Sequence, residues 1–361
     1  MYILPSELKE KIVKKEDILL LDVRTPEECS TWKIEGSVNI PVQELAMRMG
    51  ELPKKEIVTI CAHGQRSQFA ANILNSYGFK AKSLWGGMAG WNSVYDFVEL
   101  AKTSNFSLYQ IKRVAKGCMG YFLVSGQEAI VIDPTTHIAE YLEFSKKLGV
   151  KITKIIDTHQ HADHISGSRI LQNAAKSGLY LNSLDTYGFT GYKKLEEAEN
   201  IRAGEIDLTV IQTPGHTKGS TSFLLNNQLL FTGDALFIDG VARPDIGDKS
   251  EEYASELYDT YQNRILNLSP KTLVLSAHSK NLSFGQQVSA TLESIKNNNR
   301  IFELSRQGFV NYIVSNIPPK PYNYDNIIKA NSGNLEYSED EIAELEFGTN
   351  RCVLPNTLVK K

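Results

Sequence analysis

Cysteine is scarce in this chain and nowhere paired: Cys29, Cys61, Cys118 and Cys352 lie far apart, with no Cys-x-x-Cys among them. That pattern fits a reducing cytoplasm, where a special cysteine is reactive rather than structural. Positive charge is short as well. The formal net charge is −3 and no long basic run occurs, which argues against a nucleic-acid-binding surface. No apolar stretch approaches the roughly 20 residues that a membrane helix needs. The start, Met1-Tyr2-Ile3-Leu4-Pro5-Ser6-Glu7, lacks a charged segment followed by an apolar core, so no signal peptide is expected. Solenoid-period repeats and low-complexity tracts are missing too. The expectation is a cytoplasmic protein that meets neither nucleic acid nor membrane and assembles as a homo-oligomer.

What is present is length and apolar content. The 361 residues exceed what one core usually organises, and 42% of them are hydrophobic, so two domains are expected. In the first, residues 1–98, Ile18-Leu19-Leu20-Leu21-Asp22-Val23 is a nearly continuous apolar run, typical of a strand buried on both faces. Glu56 to Ile60 and Lys82 to Trp85 are two more strands. A helix is predicted from about Ser67 to Tyr77, with Phe69, Ala70, Ile73 and Leu74 as its apolar stripe and Gly78 as its stop. Alternation of this kind predicts a parallel sheet with crossover helices. Residues 99–106, around Lys102-Thr103-Ser104-Asn105, are expected to be a linker. Residues 107–345 form the expected second domain, richer in strands. It opens with a hairpin around Ser125-Gly126-Gln127-Glu128 and continues with an amphipathic helix from Ile138 to Lys147. The Pro-, Tyr- and Asn-rich stretch past Ile317 is expected to wrap over that domain rather than build a third core, and residues 346–361 are expected to be a tail.

One cysteine stands out. Ile60-Cys61-Ala62-His63-Gly64-Gln65-Arg66-Ser67 places Cys61 directly after a buried strand and just before a helix. Backbone N–H groups of such a loop point inward, the helix N-terminus adds a positive field, and Arg66 adds a full charge. Together these favour a thiolate, or an anion above it. Residues 1–98 resemble a single rhodanese domain on three stretches: Leu20-Leu21-Asp22-Val23-Arg24, Ile34-Glu35-Gly36-Ser37-Val38-Asn39-Ile40-Pro41, and Leu84-Trp85-Gly86-Gly87-Met88-Ala89-Gly90-Trp91. Glu35 departs from the pattern, which commonly has His there. The resemblance implies that Cys61 carries sulfane sulfur and that Arg66 assists at the catalytic loop. Four residues separate Cys61 from Arg66, the sulfur-sized loop; phosphatases of related fold use one more. Sulfur transfer is therefore the expected chemistry.

Five of the seven histidines fall into a second constellation: Thr158-His159-Gln160-His161-Ala162-Asp163-His164, then His216, Asp234 and His278. Each candidate ends a short apolar run or lies in the loop after one, at one edge of a sheet. His and Asp at such spacings suit a borderline transition metal. Residue type alone leaves Fe, Zn and Mn open. It also leaves open whether all seven residues bind two ions bridged by Asp234.

The constellation resembles the metallo-β-lactamase superfamily, and within it the persulfide dioxygenase family. The match runs along Thr158 to Ser168, Thr213-Pro214-Gly215-His216-Thr217-Lys218-Gly219-Ser220, Phe231-Thr232-Gly233-Asp234-Ala235-Leu236-Phe237-Ile238 and Ala242-Arg243-Pro244-Asp245. The resemblance implies an α/β protein overall: a rhodanese-like parallel sheet with flanking helices, then a metallo-β-lactamase αββα sandwich. It implies one Fe(II) per chain on His159, His216 and Asp234. His161, Asp163, His164 and His278 are left to orient the ligands or to hold a second metal, and Arg243 to contact substrate. The expected substrates are a low-molecular-weight thiol persulfide and O2, with sulfite and thiosulfate as the linked sulfur species. The alternative is a di-zinc thioester hydrolase of glyoxalase II type with an accessory rhodanese domain. Ser279-Lys280 stands where the family commonly has Asp-Tyr, so the thiol carrier is left open. A domain that carries sulfane sulfur beside one that oxidises it favours the dioxygenase reading.

Overall fold

The computed structural model describes residues 1–246, 249–280, 282–333 and 337–355. Its first sheet is entirely parallel and has five strands: β1 (Tyr2–Ile3), β2 (Ile18–Asp22), β3 (Val38–Asn39), β4 (Glu56–Ile60) and β5 (Lys80–Leu84), in the order β1-β5-β4-β2-β3. Helices cover both faces, so the central strands β2 and β4 read as continuous apolar runs. Asp22 ends β2 inside the protein and is held by a fork from Arg24, whose Nη2 donates to Asp22 Oδ2 at 2.7 Å. The helix between β4 and β5 runs Gln65–Ser76. Its inward face is Ser67, Ala70, Ala71 and Leu74, whereas Phe69, expected on the apolar stripe, is exposed.

The second domain is a sandwich. One sheet contains β6 (Tyr95–Lys102), β7 (Ser107–Arg113), β8 (Cys118–Ser125), β9 (Glu128–Ile132), β10 (Lys151–Ile156), β11 (Gly178–Leu181) and β12 (Lys193–Lys194), ordered β12-β11-β10-β9-β8-β7-β6. The other is built from β13 (Asn200–Ala203), β14 (Ile206–Gln212), β15 (Thr221–Leu225), β16 (Leu229–Gly233), β18 (Leu273–Ser276) and β19 (Ala290–Thr291), in that order. A two-stranded ribbon pairs β17 (Gly240–Ala242) with β20 (Val353–Pro355).

Alternation along β9 shows how the layers form. Ile130 and Ile132 enter the core between the sheets, with Phe223, Phe231 and Leu275 opposite. Ala129 and Val131 face the other way, toward Tyr141 and Leu171 on the helices Ile138–Leu148 and Ser168–Ala175. Burying each such aliphatic or aromatic side chain contributes about 1.5–3 kcal/mol. The opposite sheet is covered by a second helical layer that supplies Leu257, Tyr261, Ile295 and Phe309.

Two expectations about the connections change. Residues 99–106 are not a linker: β6 runs through Lys102, a tight turn closes with Thr103 N–H donating to the Phe106 carbonyl at 2.8 Å, and β7 returns antiparallel. A polar Lys-Thr-Ser-Asn stretch reads alike for a hairpin turn and for a linker. Nor do residues 346–355 form a loose tail, although 356–361 lie outside the described residues. Glu346 and Cys352 are buried. The Glu346 carboxylate takes Arg113 Nη1 at 2.8 Å and the Ile165 N–H at 2.7 Å, while its carbonyl accepts Lys116 Nζ at 2.7 Å and Asn92 Nδ2 at 3.2 Å. Burial pushes the Glu346 carboxyl up, but Arg113, His164 and Lys116 together outweigh it and the group is held below its ordinary range. Removing one partner of such a pair strands the other charge. Glu346→Ala is therefore expected to destabilise the protein by about 3–5 kcal/mol in denaturant unfolding. Arg113→Met combined with Glu346→Leu should cost less than either single change.

Candidate active sites

The Cys61 loop lies between β4 and the Gln65–Ser76 helix, and Cys61 is buried. The Gly64 N–H donates to Cys61 Sγ at 3.1 Å, and Cys61 Sγ lies 3.3 Å from Ser67 Oγ. A neighbouring turn braces the loop from behind: Met88 N–H donates to the Cys61 carbonyl at 2.8 Å and Ala89 N–H to the Ala62 carbonyl at 3.0 Å. Gly87 makes that approach possible. At φ +58° a Cβ there would sit 2.3 Å from the Cys61 carbonyl oxygen.

Arg66 does not stand free over this loop. Its fork is closed on Glu28, Nη1 to Oε2 at 2.8 Å and Nη2 to Oε1 at 2.7 Å. Those bonds hold the Glu28 carboxyl down to about 2 against partial burial. Glu28 is also the capping-box residue of the Pro26–Thr31 helix, so Arg66 ties the Cys61 loop to that helix. Loop composition could not reveal this, because the partner lies 38 residues away.

The second constellation assembles at the ends of four strands. His159 follows β10, His216 follows β14, Asp234 follows β16, and His278 follows β18. Donor atoms of His159, His216 and Asp234 all lie within 4.8 Å of one another. His159 Nε2 is 3.7 Å and His216 Nε2 3.5 Å from Asp234 Oδ2. Both Nε2 atoms and both Asp234 oxygens are buried without a hydrogen-bond partner. Buried polar atoms are otherwise almost always paired, so this set fits a metal ion.

The other ring nitrogens explain the orientation. His159 Nδ1 is 2.9 Å from Thr158 Oγ1, which itself donates to Asp133 Oδ2 at 2.9 Å. The hydroxyl must therefore accept from Nδ1–H, leaving Nε2 with its lone pair. His216 Nδ1 donates to the Arg243 carbonyl at 2.8 Å, with the same result. Burial, with His161 adding to it, holds His159 well below the ordinary histidine range and so neutral. Burial opposes the charge on Asp234, yet its neighbours, His278 foremost, draw its carboxyl well below its ordinary value. Gly233 is needed for the close approach of β16: at φ +52° a Cβ would lie 2.4 Å from Thr158 Oγ1.

The remaining histidines sit beside this group. His161 Nε2 is 3.3 Å from Asp133 Oδ1 and clusters with Asp163 and His164. His164 Nδ1 contacts the Asp163 carboxylate at 3.1 Å. His278 Nε2 is 3.1 Å from Asp234 Oδ1.

Arg243, expected to contact substrate, is turned inward and fully buried. It forks Asp245 at 2.7 and 2.8 Å and donates to the carbonyls of Arg351 and Pro318. It braces the C-terminal segment while its own carbonyl orients His216. Sequence reasoning missed several neighbours. Cys118 Sγ donates to Asp163 Oδ2 at 3.1 Å, and Cys352 offers its sulfur within 4.8 Å of donor atoms of Asp234 and His278. Asn331 Nδ2 donates to the carbonyls of His161 and His164. None carries a local motif; only long-range packing brings them in.

Residues 115–278 match the metallo-beta-lactamase superfamily and residues 4–94 the rhodanese-like domain. The mouse mitochondrial persulfide dioxygenase ETHE1 is 32% identical over 221 residues, spanning 60% of this chain and 84% of its own length. A probable polyketide biosynthesis zinc-dependent hydrolase, BaeB of Bacillus velezensis, is 30% identical over 216 residues, spanning 57% of this chain and 92% of its own. Among solved structures, ETHE1 from Myxococcus xanthus superposes with a TM-score of 0.54 at 26% identity, covering 65% of this chain and 97% of that one.

Proposed function

We propose that this chain, which belongs to the metallo-β-lactamase superfamily and carries a rhodanese-like domain ahead of it, oxidises a thiol persulfide at one site and moves sulfane sulfur at the other. The reaction read from the first site is R–S–SH + O2 + H2O → R–SH + sulfite + 2 H⁺. At the second, a persulfide on Cys61 passes its outer sulfur to sulfite, giving thiosulfate and the free thiol.

The observation that supports the reading is the convergence of two bare imidazole nitrogens and one bare carboxylate, from His159, His216 and Asp234, with the bare nitrogens of His161 and His164 beside it in a separate group with Asp163. His159, His216 and Asp234 would hold Fe(II), which when bound would supply the redox chemistry between the persulfide sulfur and dioxygen. The chain's own residues do the rest. Thr158 and the Arg243 carbonyl fix the two imidazoles in the ligating tautomer. The buried surround keeps bulk water from the reacting sulfur. Asp163 keeps His164 and His278 aligned at the pocket wall. In the rhodanese-like domain the Gly64 N–H faces the sulfur that would carry the extra atom, and the Arg66–Glu28 fork holds the loop in register.

The zinc-dependent hydrolase relative supports a second reading, in which all seven donors would hold two zinc ions that activate a water for attack on a thioester. Oxygen uptake by anaerobically purified protein given glutathione persulfide, with metal counted on the same sample, separates the two. Rapid uptake with about one iron per chain is the expected result. No uptake, with close to two zincs per chain, would put the hydrolase in its place.

A further inference from the structure

Most of the surround of the Cys61 loop comes from its own domain. The turn at Gly87 backs it, Ser67 meets the sulfur, and the Arg66–Glu28 fork ties one flank to the Pro26–Thr31 helix. The flank at His63 is occupied instead by the second domain. The helix Glu339–Leu345 packs on the Gly87–Trp91 helix and brings Glu344 Oε2 to 3.3 Å from His63 Nε2. Phe347, just past that helix, stacks on the His63 ring at 5.2 Å with 25° between the planes. Its ring also meets Trp32 edge to face at 4.9 Å, and Trp32 directly follows the helix that holds Glu28. Phe347 thus bridges the Cys61 loop and the helix to which Arg66 is fastened. Its neighbour Glu346 is pinned by Arg113, Lys116, Asn92 and the Ile165 N–H, so the ring is held in place from behind.

Cys61 is only 1% exposed, yet a thiol that receives sulfur and passes it on must meet two partners in turn. We propose that Glu344 and Phe347 form the outer wall of the Cys61 site, and that Phe347 sets the size of the molecule that reaches the sulfur. Sulfite and compact persulfides pass beside the ring, whereas a bulky persulfide is admitted only when Phe347 leaves His63. Two aromatic contacts on a half-buried ring are weak enough to open locally without unfolding the domain. The selectivity of Cys61 is then a property of the fused chain, because its gate belongs to the other domain. The proposal takes its chemistry from the sulfur-transfer reading, but access to the thiol is measured without it.

The test compares N-ethylmaleimide with fluorescein maleimide, which share a reactive group and differ in bulk, on the full-length protein. Labelling rates at each cysteine are followed by peptide mass spectrometry. Phe347→Ala should raise the fluorescein maleimide rate at Cys61 at least about ten-fold and the N-ethylmaleimide rate much less. Cys29, Cys118 and Cys352, all buried, should label as slowly as in the native chain. Thiosulfate formation should follow suit, with coenzyme A persulfide gaining on cysteine persulfide as the donor. An unchanged labelling ratio would overturn the proposal, and so would a donor ratio that stays fixed in a protein active with both. If Phe347→Ala loosens all four cysteines, Phe347→Leu decides: a smaller rise confined to Cys61 supports the wall, and no rise there, or a rise at all four, rejects it. The expected labelling shift in a protein that makes no thiosulfate from either donor would keep the wall and reject the sulfur-transfer reading.

Discussion

Asp234→Asn is expected to abolish oxygen uptake while leaving sulfur transfer at Cys61 intact. The substitution keeps the shape of the side chain at the end of β16, so the buried strand end should survive. It removes the one negative charge shared by His159, His216 and His278, which lie 3.7, 3.5 and 3.1 Å from its oxygens. A neutral amide is a poor metal donor. The loss should exceed about 100-fold, because even an outer hydrogen-bond partner of a ligand typically contributes about 10–100-fold. Metal content measured on the purified variant should fall in parallel. Undiminished uptake with metal still bound would remove Asp234 from the ligand set, and with it the facial triad.

Cys61→Ser should produce the reverse pattern. Serine is nearly isosteric and can still accept the Gly64 N–H, so the loop should keep its form. Its hydroxyl, however, neither ionises near neutral pH nor carries sulfane sulfur. Thiosulfate formation from a persulfide and sulfite is expected to fall by several orders of magnitude, as removal of a nucleophile does elsewhere. Oxygen uptake should be retained. If either variant lost both activities, the two sites would not be independent. The C-terminal segment makes that outcome a real test: Phe347 stacks on His63 of the Cys61 loop at 5.2 Å, and Asn350 Nδ2 lies 3.3 Å from His278 Nε2. One short stretch thus touches both sites.

Local chemistry by itself determined much about this protein. The apolar runs of β2, β4, β10, β14, β16 and β18 mark buried strands because burial on one or both faces demands them. The His and Asp residues at their ends announce a metal site because few other roles call for so many donors at one sheet edge. The Cys61 loop is legible for the same reason: strand, polar turn and helix start adjoin in sequence. Tertiary structure decided everything that depends on partners distant along the chain. It grouped the donor atoms of His159, His216 and Asp234, and separately those of His161, Asp163 and His164, which no spacing within His159-Gln160-His161 could do. It turned Arg243 onto Asp245 and Arg66 onto Glu28, since a guanidinium goes to whichever carboxylate packing places against it. It converted an apparent linker into a hairpin and an apparent tail into a buried brace. Sequence records which groups are available; only packing decides which of them meet, because desolvation makes an unpaired buried charge too costly to leave alone.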